Sequence, residues 1–205
     1  MPRNGQEVRR RLQLAALELY EERGYDEVTA AQIAERAGVT ERTFFRQFPD
    51  KREILFGGDA VFCDAVAAAV RNAPDGLGAL DMLMFAFQSV EQLYIDNRSF
   101  SVPRRRLIAS TPALQEREVA KIRKVVATLC EALGERGVEA RRAMLAAQVG
   151  MAALGQAVEA WMNEDSGDLR ARIGQSFADV RALSAAEPPL PQRREAVRET
   201  KRGQR

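Results

Sequence analysis

The chain contains no histidine. That absence removes the commonest general base and the commonest metal ligand. Cysteine is nearly as scarce: Cys63 and Cys130 stand far apart without a partner pattern. No zinc site or other metal site is expected. The two thiols read as reduced core residues, with a redox sensor as the alternative. There is no Gly-rich phosphate loop and no Gly-x-Ser-x-Gly turn. Catalysis therefore has few candidates, and no cofactor is implied. No run approaches eighteen consecutive apolar residues, so no membrane span is expected. The opening residues Met-Pro-Arg-Asn-Gly-Gln-Glu lack the apolar stretch of a secretory signal, and the cytoplasm is the default compartment. Alternating apolar and polar runs of useful length are missing, which argues against strands. An excess of one charge is missing too: 31 basic and 29 acidic residues leave a net +2.

What remains suits a globular all-α chain. It has 205 residues, 46% of them hydrophobic and 29% charged, enough for one medium domain plus a small one. Helical periodicity and breakers predict helices at about 6–23, 29–37, 41–47 and 51–72. Further helices are predicted over Leu80–Ile95, Ser99–Ile108 (short, broken by Pro103), Pro112–Leu133, Glu139–Met162 and Leu169–Leu183. That makes about nine. The expected division is a small N-terminal domain over 1–55, a helical body over 56–184 and a disordered Pro-rich, charged tail over 185–205. The tail carries six basic and three acidic residues, and reads as solvated or as a source of non-specific attraction to DNA.

The most telling stretch runs from Thr29 to Pro49. Thr29 is a good N-cap, with Gln32 at capping-box spacing. Ile33, Ala34 and Ala37 recur at helical spacing, and Gly38 supplies a helix stop. Val39 plugs the turn. Thr40 caps a second helix whose first turn, Glu41, Arg42 and Thr43, is polar and whose rear, Phe44, Phe45 and Phe48, is aromatic. Pro49 ends it. Two helices joined by so tight a turn make a helix-turn-helix. Leu12, Ala16, Leu19 and Tyr20 form a stripe on the preceding helix that should pack on Ile33, Phe44 and Phe48. Another helix is capped by Asp50, with Glu53 at the capping-box position. Charge alone does not mark the segment, since residues 1–55 hold ten basic and ten acidic side chains. Placement does: Arg3, Arg9, Arg10 and Arg11 lie at the start, and Arg42, Arg46, Lys51 and Arg52 flank the second helix.

Over the segments Ala15–Thr29, Ile33–Thr40 and Arg42–Leu55 the chain resembles the DNA-binding domain of the TetR family of transcriptional repressors. The resemblance covers about a quarter of the chain. It implies a helix-turn-helix that reads double-stranded DNA, followed by a helical domain that binds an effector and dimerises. Thr40, Glu41, Arg42 and Thr43 would then face base edges, with Arg42 suited to guanine, Glu41 to the cytosine amino group and the Thr43 methyl to thymine. Thr29, Gln32 and Lys51 would meet phosphates. Phe45 stands where the family usually has a tyrosine whose hydroxyl touches phosphate, so that contact is either absent here or supplied by Arg46 or Gln47. An enzyme or scaffold with an incidental helix-turn-helix-like segment is the competing reading.

One such head covers a half-site, so a homodimer on a near-palindrome is expected, without membrane or metal partners. Small residues interspersed with larger apolar ones on the last two helices suggest the interface, with Ala147, Gly150, Leu154, Val158 and Phe177 as candidates. The family resemblance implies a ligand pocket in the body for a small-molecule effector. The candidates for its lining are Met82, Phe85, Phe87, Leu93, Phe100, Leu129, Met144, Met151 and Trp161, although such stripes also build plain core. Residues 103–124 hold seven basic and two acidic residues, either a solvated face or, with Arg105, a site for the phosphates of a ligand such as an acyl-CoA. Gly57-Gly58 inside the predicted fourth helix marks a close packing point, a bend or a hinge between head and body.

Overall fold

A computed structural model describes residues 3–164 and 167–184. The expected tail therefore lies outside the described residues. Among these residues there are ten α-helices and no strand: α1 Arg3–Arg23, α2 Ala30–Arg36, α3 Glu41–Gln47, α4 Asp59–Arg71, α5 Ala79–Ser89, α6 Glu91–Asp96, α7 Arg98–Ser110, α8 Pro112–Glu135, α9 Ala140–Met162 and α10 Leu169–Ser184. A 3₁₀ turn, Glu53–Phe56, precedes α4.

Two expectations about helix boundaries are corrected. The predicted helix 51–72 is not continuous. The 3₁₀ turn ends at Gly57, α4 starts after Gly58, and the two glycines sit in the break. The predicted helix 80–95 is also divided, because Val90 leaves helical geometry between α5 and α6. Conversely, α7 runs straight through Pro103. The proline is the sixth helical residue, and its missing N–H leaves the Ser99 carbonyl without its usual i→i−4 donor.

Two hydrophobic clusters hold the chain together. The first joins the head: Leu12, Ala16, Leu19 and Tyr20 from α1 close on Ile33, Phe44 and Phe48, all at most 2% exposed. This is the packing that the apolar stripe predicts. Ile108 of α7 and Leu114 of α8 belong to the same cluster, so the body helices dock directly into the head. The second cluster fills the body between α4, α5, α8, α9 and α10. A side chain added at Gly150 on α9 would meet Leu83 Cδ1 of α5 at 2.8 Å, so the two helices approach closely there.

Candidate nucleic-acid interface and head-body cavity

The helix-turn-helix is built by its caps. Thr29 Oγ1 accepts the Gln32 N–H at 3.3 Å, and Gln32 Oε1 accepts the Thr29 N–H at 2.9 Å, which completes a capping box. Gly38 takes φ +66, the left-handed conformation that turns the chain between the helices. Thr40 Oγ1 accepts the Thr43 N–H at 3.2 Å and lies 3.0 Å from the Thr43 hydroxyl. These bonds fix where α3 begins. Phe44 and Phe48 anchor its rear at 0% and 1% exposure, while Phe45 is 51% exposed.

The opposite face of α3 is left open. Glu41, Arg42 and Arg46 are exposed, with Thr43 and Gln47 half-buried. Neither Arg42 nor Arg46 pairs with an acid among the described residues. Arg36 on α2 does the opposite and binds Glu22 at 2.9 Å and Glu18 at 3.3 Å. The α3 arginines are thus free to meet an outside acceptor, and Arg36 is not.

Lys51 departs from expectation. Its ammonium donates to the carbonyls of Tyr25 (2.9 Å), Asp26 (3.2 Å) and Val28 (2.9 Å), and lies over the Tyr25 ring. An ammonium has three donors, and here the loop before α2 takes them all. Lys51 is a clamp on that loop rather than a free phosphate ligand. Glu53 also departs. Asp50 Oδ1 accepts the N–H groups of Arg52 and Glu53, as a cap should, but the Glu53 carboxylate reaches across to Arg117 on α8 at 2.5 Å.

That contact belongs to an ion network at the head-body junction. Arg117 also meets Asp59 at 3.2 Å, Lys121 lies 3.8 Å from Asp59 and 3.5 Å from Glu118, and Arg104 binds Glu118 at 2.6 Å. Arg104 donates to the Leu55 carbonyl at 2.5 Å, and the Arg104 and Arg117 guanidiniums both lie against the Phe56 ring. Burial alone would raise the Glu118 carboxyl, but Arg104 and Lys121 outweigh it and hold its pKa below the usual range. Burial and the Arg104 charge push Lys121 down.

The network forms one wall of a cavity of about 430 Å³ between head and body. Its apolar lining includes Phe62, Leu93, Phe100, Ile122, Val125 and Met151, and its polar lining includes Arg9, Gln13, Asp59, Arg104, Glu118 and Lys121. Of the expected pocket residues, Leu93, Phe100 and Met151 line it. The others do not. Met82, Phe87, Leu129 and Trp161 are closed core, Phe87 against Phe177 and Trp161 with its indole N–H on the Gly167 carbonyl at 2.9 Å. Phe85 packs on the body core. Met144 is 45% exposed. Arg105 points away and pairs with Glu159 at 2.9 Å, since neighbouring residues on a helix diverge by about 100°. The lining residues that sequence reading missed include the polar Arg9, Gln13, Asp59 and Glu118 and the apolar Phe62, Ile122 and Val125. Only the acids three to five residues from basic partners on α8 hinted at pairing.

The expected interface residues are corrected as well. Ala147, Gly150, Leu154, Val158 and Phe177 are all buried within a single chain, so none faces a partner. The open side of α9 presents Leu145, Gln148, Ala152, Gly155 and Gln156, and α10 presents Ala171, Gln175 and Ala178.

Residues 14–57 match the family described as bacterial regulatory proteins, tetR family, and residues 77–184 match the family described as the MftR C-terminal domain. The HTH-type transcriptional regulator TcmR of Streptomyces glaucescens is 39% identical over 75 residues, which are 37% of this chain and 33% of that protein. The match thus spans about a third of that relative's length. The crystal structure of Thermus thermophilus FadR, a TetR-family transcriptional repressor in complex with lauroyl-CoA, superposes with a TM-score of 0.52 at 21% identity over 89% of this chain and 98% of that one. A SmeT–triclosan complex gives 0.58 at 18% identity over 90% and 99%. At these identities the structural likeness speaks for the fold.

Proposed function

Because the chain belongs to the TetR family of bacterial regulatory proteins and is a transcriptional regulator, we propose that it represses by binding a near-palindromic operator as a homodimer and lets go when a small apolar or amphipathic ligand binds. The observation that carries the reading is the two-sided α3. Phe44 and Phe48 lock its rear into the head, while Glu41, Arg42 and Arg46 stand outward and the α3 arginines meet no acid among the described residues. In this geometry the N-terminal turn of α3 enters the major groove. Arg42 reads guanine, Glu41 and Thr43 read neighbouring bases, and Arg46, Gln47 and the exposed helix ends at Thr29 and Gln32 meet phosphates. The 3₁₀ turn, the glycine break and the ion network join that reading head to the body.

Dimerisation uses the open side of α9 and α10. No charged residue occurs on α9 between Arg142 and Glu159, and the exposed small residues Ala152, Gly155, Ala171 and Ala178 let two copies approach closely. The effector site is the head-body cavity. Its volume falls in the range of small-molecule sites, about 300–1,000 Å³. The lauroyl-CoA and triclosan held by the two structural relatives support an acyl-CoA-like or drug-like ligand. A ligand that prefers the body conformation with misplaced heads lowers operator affinity by that preference. The Gly57-Gly58 break is the pivot.

The test is a band-shift titration of the purified chain on the duplex upstream of its own gene, with its mass measured in solution. The reading predicts a dimer and saturable, salt-sensitive binding. A monomer that leaves the duplex unshifted at low salt overturns it.

A further inference from the structure

The head-body cavity holds one cation more than its surroundings neutralise. The ion network is closed: Arg104, Arg117 and Lys121 face Glu53, Asp59 and Glu118, three against three. Arg9 also lines the cavity, and it forms no ion pair with any described residue. It projects from α1 into the junction, not toward solvent with its neighbours Arg10 and Arg11. Its Nη1 donates to the Gln47 carbonyl at 2.9 Å, its Nη2 to the Gly57 carbonyl at 3.1 Å, and its guanidinium lies 4.2 Å from the Phe48 ring centre. All of these partners are neutral.

We propose that the cavity takes a compact amphipathic anion whose charged head is received by Arg9, and that Arg9 carries the occupancy to the recognition helix. This rests on the reading of the cavity as the effector site. Partial burial removes water from the Arg9 guanidinium and pushes its pKa down, so an incoming carboxylate or phosphate replaces solvation that the protein supplies only with neutral groups. The other cations in the wall already have acids, which makes Arg9 the favoured end for a negative charge. A cationic ligand meets the same unbalanced charge and is disfavoured. The apolar remainder of the ligand lies along Phe62, Leu93, Phe100 and Ile122.

The coupling follows from what Arg9 holds. Gln47 is the last residue of α3, and Gly57 opens the break before α4. The two carbonyls take two of the five guanidinium N–H groups, and an anion that engages the others from the cavity side draws the guanidinium away from both carbonyls. The C-terminal end of the reading helix then loses its tie to α1 while the pivot loses its brace. Gly57 fits this arrangement closely: a Cβ there would lie 2.5 Å from Arg9 Nη2 and 3.0 Å from the Phe48 ring. The guanidinium occupies the space that any other residue would fill.

The test titrates the full chain with decanoate and with decanol, probes of equal length that differ in charge, by calorimetry. Amide hydrogen exchange of residues 41–48 is followed in parallel. Decanoate is expected to bind about tenfold or more tighter than decanol, the scale of a charge-assisted hydrogen bond, and to speed exchange in 41–48. In Arg9→Met the preference collapses and the exchange response disappears, while Arg9→Lys keeps a preference. Should Arg9→Met fail to fold, Gly57→Ala displaces the guanidinium without changing any charge, and is expected to reduce the preference. Equal affinities in the wild type, or a decanoate preference that survives Arg9→Met, overturn the role of Arg9 while leaving the cavity as a binding site. No binding of either probe overturns the cavity reading as well.

Discussion

The reading helix and the head-body junction both rely on arginine, and they use it in opposite ways. On α3, Arg42 and Arg46 stand in solvent without an acid among the described residues. At the junction, Arg104 and Arg117 are enclosed by Glu118, Glu53, Asp59 and the Phe56 ring. An exposed, unpaired guanidinium is available to a ligand. An enclosed and paired one is a strut whose removal strands a buried acid. Arg9 lies between the two cases, half-buried and without an acid among the described residues, and that intermediate state is what suits it to the proposed sensing role.

The sharpest way to break this contrast is from behind the reading helix. Phe44→Ala removes a fully buried ring and should cost the head about 3–5 kcal/mol, seen in chemical denaturation. Phe45→Ala on the exposed side should change stability by less than about 0.5 kcal/mol. Next comes the junction. Glu53→Gln leaves Arg117 with Asp59 alone and should cost about 1–3 kcal/mol, read as a lower unfolding midpoint. On the solvent side, Arg42→Ala should leave that midpoint unchanged. It should lose roughly 1–3 kcal/mol of discrimination at one base pair, measured by competition between operator variants.

The smallest effect concerns pH. With no histidine in the chain, stability should be nearly flat between about pH 5.5 and 8. The Glu118 carboxyl is held below its ordinary pKa. Its contribution is therefore fully present above the unfolded-state value and is lost as pH falls through the folded one. Acid titration of the unfolding midpoint should show a decline confined to the carboxylate range, and Glu118→Gln should make that decline shallower.

Local rules were enough where local rules decide structure. Thr29 with Gln32, Thr40, Gly38 and the stripe from Leu12 to Tyr20 state their roles through spacing alone, and the head follows them. They were not enough where an outcome depends on what lies across a gap. Apolar periodicity marks Phe87, Leu129 and Phe177 as buried, but not whether the neighbour is core, a cavity or a second chain. Phe87 and Phe177 proved to be each other's neighbours. Small residues at Ala147 and Gly150 signal close helix approach. At Gly150 the helix that approaches is α5 of the same chain, and the open side of α9 lies around the helix from both residues. Arg9 reads as one of four basic residues at the start of the chain. Only the fold reveals that it alone of Arg9, Arg10 and Arg11 turns inward. The pair Gly57-Gly58 signals something irregular, and the structure turns that into a helix break with Arg9 seated against it.

The central claim is that α3 is an outward reading element presented twice by a two-fold dimer. Hydroxyl-radical footprinting of the bound upstream duplex tests it most directly. Two protected patches centred one helical turn apart, about 34–36 Å, are predicted for the wild type, both weakened by Arg42→Ala and reduced to non-specific protection by Ala152→Glu, which would place like charges across the proposed α9 contact. A single patch, or two patches that persist in Ala152→Glu while the protein is monomeric, would contradict the account.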